Sequence, residues 1–177
     1  LLACSISFYI FIYTIWLKRR TPHNIVIGGA AGAFPPMIGW ACATGDLTLF
    51  PLILFAIIFI WTPPHFWALS LYKDIEYSKA NVPMLPVVSG RNYTKKQILL
   101  YSILLFFVSL LPFFLKFAGE IYLITALILN IYFLFLSFKL SKINGKDSLY
   151  FASRLFKYSI LYLYLIFLVL VIDSMVI

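Results

Sequence analysis

Charge is what this chain has least of. Lys, Arg, Asp and Glu make up 11% of its 177 residues, where a soluble domain carries about a quarter. With 63% hydrophobic residues and a mean hydropathy of +1.00, the composition excludes a water-soluble globule and defines an integral membrane protein whose outer surface meets the lipid bilayer. Cysteine is nearly absent. Cys4 and Cys42 both sit in apolar runs, so no disulfide or zinc framework is implied and buried structural thiols are expected. Strand alternation is missing, which makes the class all-α. There is no internal repeat, no low-complexity tract and no second domain, so residues 1–177 read as one transmembrane domain. An initiator Met and a signal peptide are also lacking. Leu1 already lies inside an apolar run, and the expectation is a chain that starts partway through a span, as the C-terminal portion of something longer.

What is there is a series of oily segments. A bilayer core needs about 20 apolar residues as helix, and such runs fall at roughly 1–17, 25–44, 49–72, 97–116, 119–140 and 154–177. The second, "IVIGGAAGAFPPMIGWACAT", is rich in small residues that let neighbouring helices approach its backbone. Its Pro35-Pro36 pair, and Pro63-Pro64 in the third run, should kink those helices and free carbonyls in the preceding turn. Freed carbonyls at membrane depth are tolerable only beside protein or a wet cavity.

The net charge of +8 records orientation rather than nucleic-acid binding. Lys18, Arg19 and Arg20 fall in the first connection, and Lys73, Lys79, Arg91, Lys95 and Lys96 in the third. Lys139, Lys142, Lys146, Arg154 and Lys157 lie in or beside the fifth. If six helices alternate, every basic residue of the 14 except Lys116 is then on one side. The positive-inside rule places that side in the cytoplasm or its equivalent. Asp46, Lys116, Glu120 and Asp173 go to the other side, the acids as solvated helix ends.

Two of the six acidic residues sit in one short connection, "YKDIEYSKANVPMLP", Tyr72 to Pro86. If the third span continues as helix, Lys73, Glu76 and Lys79 share a face while Asp74 points towards Tyr77. Two carboxylates flanked by lysines suit Mg²⁺ together with a polyanion, because Mg²⁺ takes one or two carboxylates plus phosphate oxygens and lysines act as point charges for phosphate. A solvated positive-inside loop with incidental acids has the same composition, and charge alone leaves both readings open. The bracketed "VPMLPVV" favours a rigid extended path, which a mere tether does not need.

The first connection, "LKRRTPHN", offers phosphate donors or simply sets topology. Thr21-Pro22 reads as a helix start, Thr21 capping and Pro22 first in the helix, with a modest anion site at the following amides. His65, after the paired prolines of "FIWTPPHFWALSLYK", lies inside the membrane near the basic face. Three readings stay open for it: a hydrogen-bonded structural residue, a general base or polar substrate contact, and an axial ligand of haem iron. His23 is a loop residue with a substrate contact as its one functional reading.

Three stretches, "YTIWLKRRTPHNIVIGGAAGAFPPMIGW", "WTPPHFWALSLYKDIEYSKANVPMLPVV" and "RLFKYSILYLYLIFLVLVID", taken in this order resemble the protoheme IX farnesyltransferases (haem O synthases), a branch of the UbiA-type intramembrane prenyltransferases. The resemblance covers essentially the whole chain. It implies a nine-helix bundle, about six helices of which fall in this chain, around a central cavity. There Mg²⁺ and two acidic motifs grip the diphosphate of farnesyl diphosphate, and the farnesyl group passes to a vinyl of haem B (substrate rather than cofactor), giving haem O and diphosphate. The family's second acidic motif maps onto Lys73, Asp74, Glu76 and Tyr77, making Asp74 and Glu76 the expected metal ligands and catalytic residues. Tyr72 and Lys79 flank it as expected substrate contacts. By position Lys18, Arg19 and Asn24 match the basic motif, and His65 the Pro-Pro-His-Phe motif.

The chemistry implied is ionisation of an allylic diphosphate. Metal and lysines stabilise the leaving group, and faces such as Trp61, Phe66 and Trp67 serve the carbocation or are packing and lipid-facing residues. Two departures matter. The family usually carries Asp where this chain has Glu76, and its first acidic motif falls before Leu1, so the 177 residues alone are expected to be inactive. The resemblance further implies a bacterial or mitochondrial inner membrane, with haem A synthase or an oxidase-assembly factor as partner. The alternatives are a prenyltransferase for a quinone precursor and a non-catalytic polytopic membrane protein.

Overall fold

The computed structural model describes residues 1–17, 20–22, 24–73 and 83–175, with the backbone alone for Lys146. The described residues hold helices and no strand. In chain order these are α1 (Leu2–Ser7), which passes into a π-helical stretch at Phe8–Leu17, then α2 (Asn24–Ala33), α3 (Pro35–Thr44) and α4 (Leu49–Tyr72). They are followed by α5 (Leu85–Ser89), α6 (Arg91–Phe114), α7 (Glu120–Lys142) and α8 (Lys146–Ser174). Five segments are long and apolar enough to cross a membrane, α2 and α3 counting as one span, and Leu2–Leu17 is a shorter apolar helix. This is a multi-pass membrane protein.

The proline pairs act differently from one another. At Pro35-Pro36 the ladder is interrupted: Phe34 separates α2 from α3 while keeping right-handed helical angles (φ −66°, ψ −29°). The carbonyls that lose their amide partners belong to Ala31 and Gly32, four residues back, and both residues line open grooves. At Pro63-Pro64 the expected disruption does not break the element, and α4 stays helical for 24 residues. Both prolines are buried there, so the disturbed turn lies against protein, as lipid requires. The π-helical stretch has its own local support. The Thr14 hydroxyl donates to the Tyr9 carbonyl at 2.8 Å, a five-residue step that matches the wider π spacing.

α4 is the hub. It packs against α2 and α3 on one flank and against α6 and α8 on the other, and α6–α7–α8 close a four-helix ring with it. Trp67, Tyr122, Phe133 and Tyr162 are the largest enclosed side chains. Along α8 the enclosed positions run Ser148, Ala152, Leu155, Ser159, Tyr162, Ile166, Val169, Asp173. Steps of four and three are a left-handed supercoil seam. The opposite faces expose Phe107, Phe114, Ile128, Ile131 and Tyr164, the surface that lipid wets. Cys4 and Cys42 belong to the exposed set, so the expectation of buried thiols is corrected; in lipid an apolar-facing thiol needs no core.

Asp173, expected as a solvated helix end, is interior, and so is Lys95 of the third connection. Asp173 is only 2% exposed. Its carboxylate accepts the amide N–H of Gly119, and that of Tyr122 at 3.2 Å, which caps the start of α7 from a neighbouring helix. At the other end Lys95, 3% exposed, donates from Nζ to the Ile143 carbonyl at 2.6 Å and to Asn144 Oδ1 at 3.1 Å. A negative charge at the N-terminus and a positive one at the C-terminus both oppose the macrodipole of α7. Between them a polar chain crosses the ring. Tyr162 Oη donates to Asn130 Oδ1 (3.0 Å), Asn130 Nδ2 to Ser109 Oγ (2.7 Å), and Tyr122 Oη to the Ser109 carbonyl (2.6 Å).

Candidate functional site

The register of α2 against α4 locates the site. The two helices run antiparallel, with Ile25 and Phe66 at one end of a shared cavity and Gly32 and Ile58 at the other. The cavity measures about 280 Å³ and is also walled by Tyr9, Tyr13, Gly28 and Trp61. Glycine is required at two of these positions by close approach. A Cβ on Gly28 would stand 2.2 Å from the Tyr13 ring, and one on Gly29 2.9 Å from Thr62 Cγ2. The small-residue run of α2 thus does what its composition suggests, letting aromatic rings and α4 reach its backbone.

Asn24, 1% exposed, opens α2 beside Ile25. Its amide donates to the Thr21 carbonyl at 3.2 Å, so the helix starts at Asn24 and Pro22 lies in the preceding turn rather than at the first helical position. Tyr72 and Lys73 end α4 at that same pole, Tyr72 about half exposed. The described part of α4 ends at Tyr72, and the expected helical continuation from Asp74 onward lies outside the described residues. Lys73 leaves helical geometry at φ −115°, ψ 27° while its amide still donates to the Leu69 carbonyl at 2.9 Å. Past the connection, Met84 is extended, but Leu85–Ser89 coil into one short helix with Pro86 in its first turn, so only part of "VPMLPVV" is extended.

Lys18, Arg19, His23, Asp74, Glu76, Tyr77 and Lys79 lie outside the described residues. Among the described residues no group of three or more His, Cys, Asp or Glu side chains could hold a metal.

His65 is set apart from this cavity, on the α8 side of α4. It is 8% exposed. Trp61 stacks on one ring contact at 4.3 Å and Phe156 on another at 4.7 Å, both near-parallel, and Phe66 meets it edge-on at 5.0 Å. Its Nδ1 lies 2.6 Å from Ser159 Oγ, and the Trp61 indole N–H donates to the Ser159 carbonyl at 2.9 Å. Trp61 and Phe66 line the cavity, whereas Trp67 is core, edge-on to Tyr101 at 5.3 Å.

Sequence reasoning passed over Ser159. The signal was available: it is a hydroxyl on the buried seam of α8, where every three- or four-residue step is otherwise mostly apolar. Tyr9 and Tyr13 carried no such mark, since nothing in an apolar run says which aromatic faces inward.

Apolar helices closed into a ring, with a cavity beside a glycine-lined helix, define a multi-pass membrane helix bundle. The chain belongs to the UbiA prenyltransferase family, whose pattern it matches over residues 1–161. It is 57% identical over 176 residues to a protoheme IX farnesyltransferase of Parvibaculum lavamentivorans, 55% identical over 184 residues to that of Acidiphilium cryptum, and 52% identical over 179 residues to that of Pelagibacter ubique. These alignments cover 98–99% of this chain and 55–58% of the relatives, so the chain spans a little over half their length. No solved structure matches it.

Proposed function

We propose that this chain supplies the larger part of a protoheme IX farnesyltransferase, which transfers the farnesyl group of farnesyl diphosphate to a vinyl group of haem B and yields haem O. The observation that carries the reading is the identity of more than half of all residues to farnesyltransferases of that name along 99% of the chain.

In this reading the C–O bond of farnesyl diphosphate breaks and its electron pair leaves on diphosphate. The vinyl π pair forms the new C–C bond, and water captures the resulting cation, releasing one proton. Asp74 and Glu76 would hold Mg²⁺, which when bound would supply positive charge for the departing diphosphate. Lys18, Arg19, Lys73 and Lys79 add cationic donors, with Asn24, Tyr72 and Tyr77 as neighbouring polar contacts. The pole at which α2 begins and α4 ends suits this, because the connections bearing those residues leave from it. The Trp61 and Phe66 rings on the cavity wall offer their faces to the carbocation, and an apolar cavity keeps water from it until the C–C bond has formed. The basic connections face the cytoplasm or matrix of an inner membrane, where haem A synthase or an oxidase-assembly factor takes up the product.

The test joins the 177 residues behind the N-terminal part of the Parvibaculum enzyme and supplies the purified protein in vesicles with farnesyl diphosphate, haem B and Mg²⁺. Haem O by mass spectrometry is the expected product. A folded chimaera that instead prenylates an aromatic acid supports the quinone-precursor alternative. One that forms neither product, and binds diphosphate equally well after Glu76→Ala or Lys73→Ala, is not an enzyme of this kind.

A further inference from the structure

On the outer face of α7 and α8 stands a cation with hydrogen-bond donors to spare. Arg154 is exposed. Its Nη2 donates to Tyr132 Oη at 2.6 Å, and its Nη1 to Tyr150 Oη at 3.5 Å. The guanidinium also lies against the Tyr132 ring, 5.8 Å from its centroid. A guanidinium has only N–H donors and no acceptor, so the direction of these bonds is fixed. Each tyrosine oxygen, having accepted, keeps its own O–H to give, and neither hydroxyl meets an acceptor among the described residues. The cluster therefore offers donors alone, around a full positive charge. No carboxylate answers that charge among the described residues: Asp147, about two turns back on the same side of α8, makes no ion pair with it.

Depth makes the missing counter-charge matter. Arg154 stands about 12 Å along α8 from its start at Lys146, and Tyr132 about 15 Å from the end of α7 at Lys142. Ile131, Phe135, Ile160 and Leu161 are the exposed apolar neighbours on this surface, and a cation among such residues calls for an anion. More positive charge gathers beside it. Lys157 is exposed one turn further along α8, and helical side chains tilt towards the N-terminus, back towards the level of Arg154. Lys139 lies over the Phe135 ring at 5.8 Å, and that ring stacks on Tyr132. A free anion gains nothing from the apolar surround. An acidic phospholipid brings a phosphate to the membrane surface, where a long arginine side chain can reach it, and carries acyl chains that cover the residues below. We propose that this α7–α8 face binds the headgroup phosphate of an acidic phospholipid in the leaflet nearest the basic connections. Arg154 grips the phosphate oxygens with its planar fork, Tyr132 holds the fork in place, and Lys139 and Lys157 flank it. The site goes beyond the enzymatic reading and does not depend on it.

The test reads Arg154 itself. The 177-residue chain, labelled with ¹⁵N-arginine, is placed in phosphocholine micelles and titrated with phosphatidylglycerol. The Nε–H signal that disappears in Arg154→Lys identifies the residue, and it should shift saturably as the acidic lipid is added. Lys157→Gln leaves this reporter in place and should raise the half-saturating lipid content about fivefold, the effect of one cation near a headgroup. Tyr132→Phe changes no charge, yet should raise it about threefold through the lost hydrogen bond. Lys96→Gln removes an equal charge from α6 at the same end of the bundle and should leave it unchanged. A signal that ignores phosphatidylglycerol, or drifts without saturating, overturns the proposal. So does an equal weakening by Lys96→Gln and Lys157→Gln, which would mean diffuse attraction rather than a site. A saturable shift with inorganic phosphate or an Asp-rich peptide, and none with the lipid, overturns it in favour of a soluble anion or an acidic protein partner.

Discussion

Replacing Asp173 with Ala should be the most damaging single change outside the cavity. The carboxylate meets two backbone amides, those of Gly119 and Tyr122, at the first turn of α7. Removing it leaves two interior N–H donors without an acceptor, at about 1 kcal/mol or more each. It also removes a partly buried negative charge from a helix N-terminus, worth about 1 kcal/mol. Together these make a loss of about 3 kcal/mol, roughly a hundredfold in the folding equilibrium. Asp173→Asn keeps one oxygen acceptor but loses the charge, and should cost about 1 to 1.5 kcal/mol. The assay is equilibrium unfolding in mixed micelles by titration with a denaturing detergent, followed by far-ultraviolet circular dichroism. Amide hydrogen exchange at Gly119 and Tyr122 adds a local readout and should accelerate in both variants. If Asp173→Ala unfolds within about 0.5 kcal/mol of the parent and these amides exchange no faster, the cross-helix cap contributes nothing and the reasoning is wrong.

Lys95→Met keeps the length of the side chain but withdraws the donor from the Ile143 carbonyl and Asn144; a loss of about 2 kcal/mol in the same titration is expected, and no loss would mean that water replaces it. Gly28→Ala forces the Tyr13 ring away and should destabilise by about 1 to 3 kcal/mol. In a Tyr13→Ala background the same change should have less than about 0.5 kcal/mol of effect, a coupling that a double-mutant cycle measures. Tyr162→Phe should cost about 1 kcal/mol by taking a donor from Asn130 Oδ1. Asn130→Leu should cost more, because it strands both the Tyr162 hydroxyl and the Ser109 oxygen, and the pair should be non-additive.

The spans were legible because lipid leaves a helix few options: every backbone polar group must be met within the segment, and a run of Leu, Ile and Phe reports that directly. Boundaries were less so. α6 begins at Arg91, six residues before the apolar run, and α8 at Lys146, eight before it. A polar turn can be helical when its charges find partners, and Lys95 finds one 48 residues away, a separation that no local pattern encodes. Asp173 was misread for the same reason. A lone acid near the end of an apolar helix looks solvated until the amide ends of a neighbouring helix are brought to it. Of the site, Asn24, Tyr72 and Lys73 do gather at one pole, while His65 turns to α8 rather than to the α2–α4 cavity. The acidic pair that motivated the functional reading lies outside the described residues, so its support remains chemical.

The two side chains that terminate α7 come from helices made before and after it. Lys95 belongs to the helix that precedes α7 during synthesis, and Asp173 to the one that follows. As the chain leaves the ribosome, α7 can therefore settle its later end against a neighbour already inserted, while its earlier end waits until α8 is almost wholly in the bilayer. Until then the Gly119–Tyr122 turn must draw its acceptors from water or headgroups at the membrane surface. The last full turn of α8 thus acts as a latch on biogenesis. A chain released before Asp173 could carry every span in place and still leave one helix unfastened some fifty residues upstream.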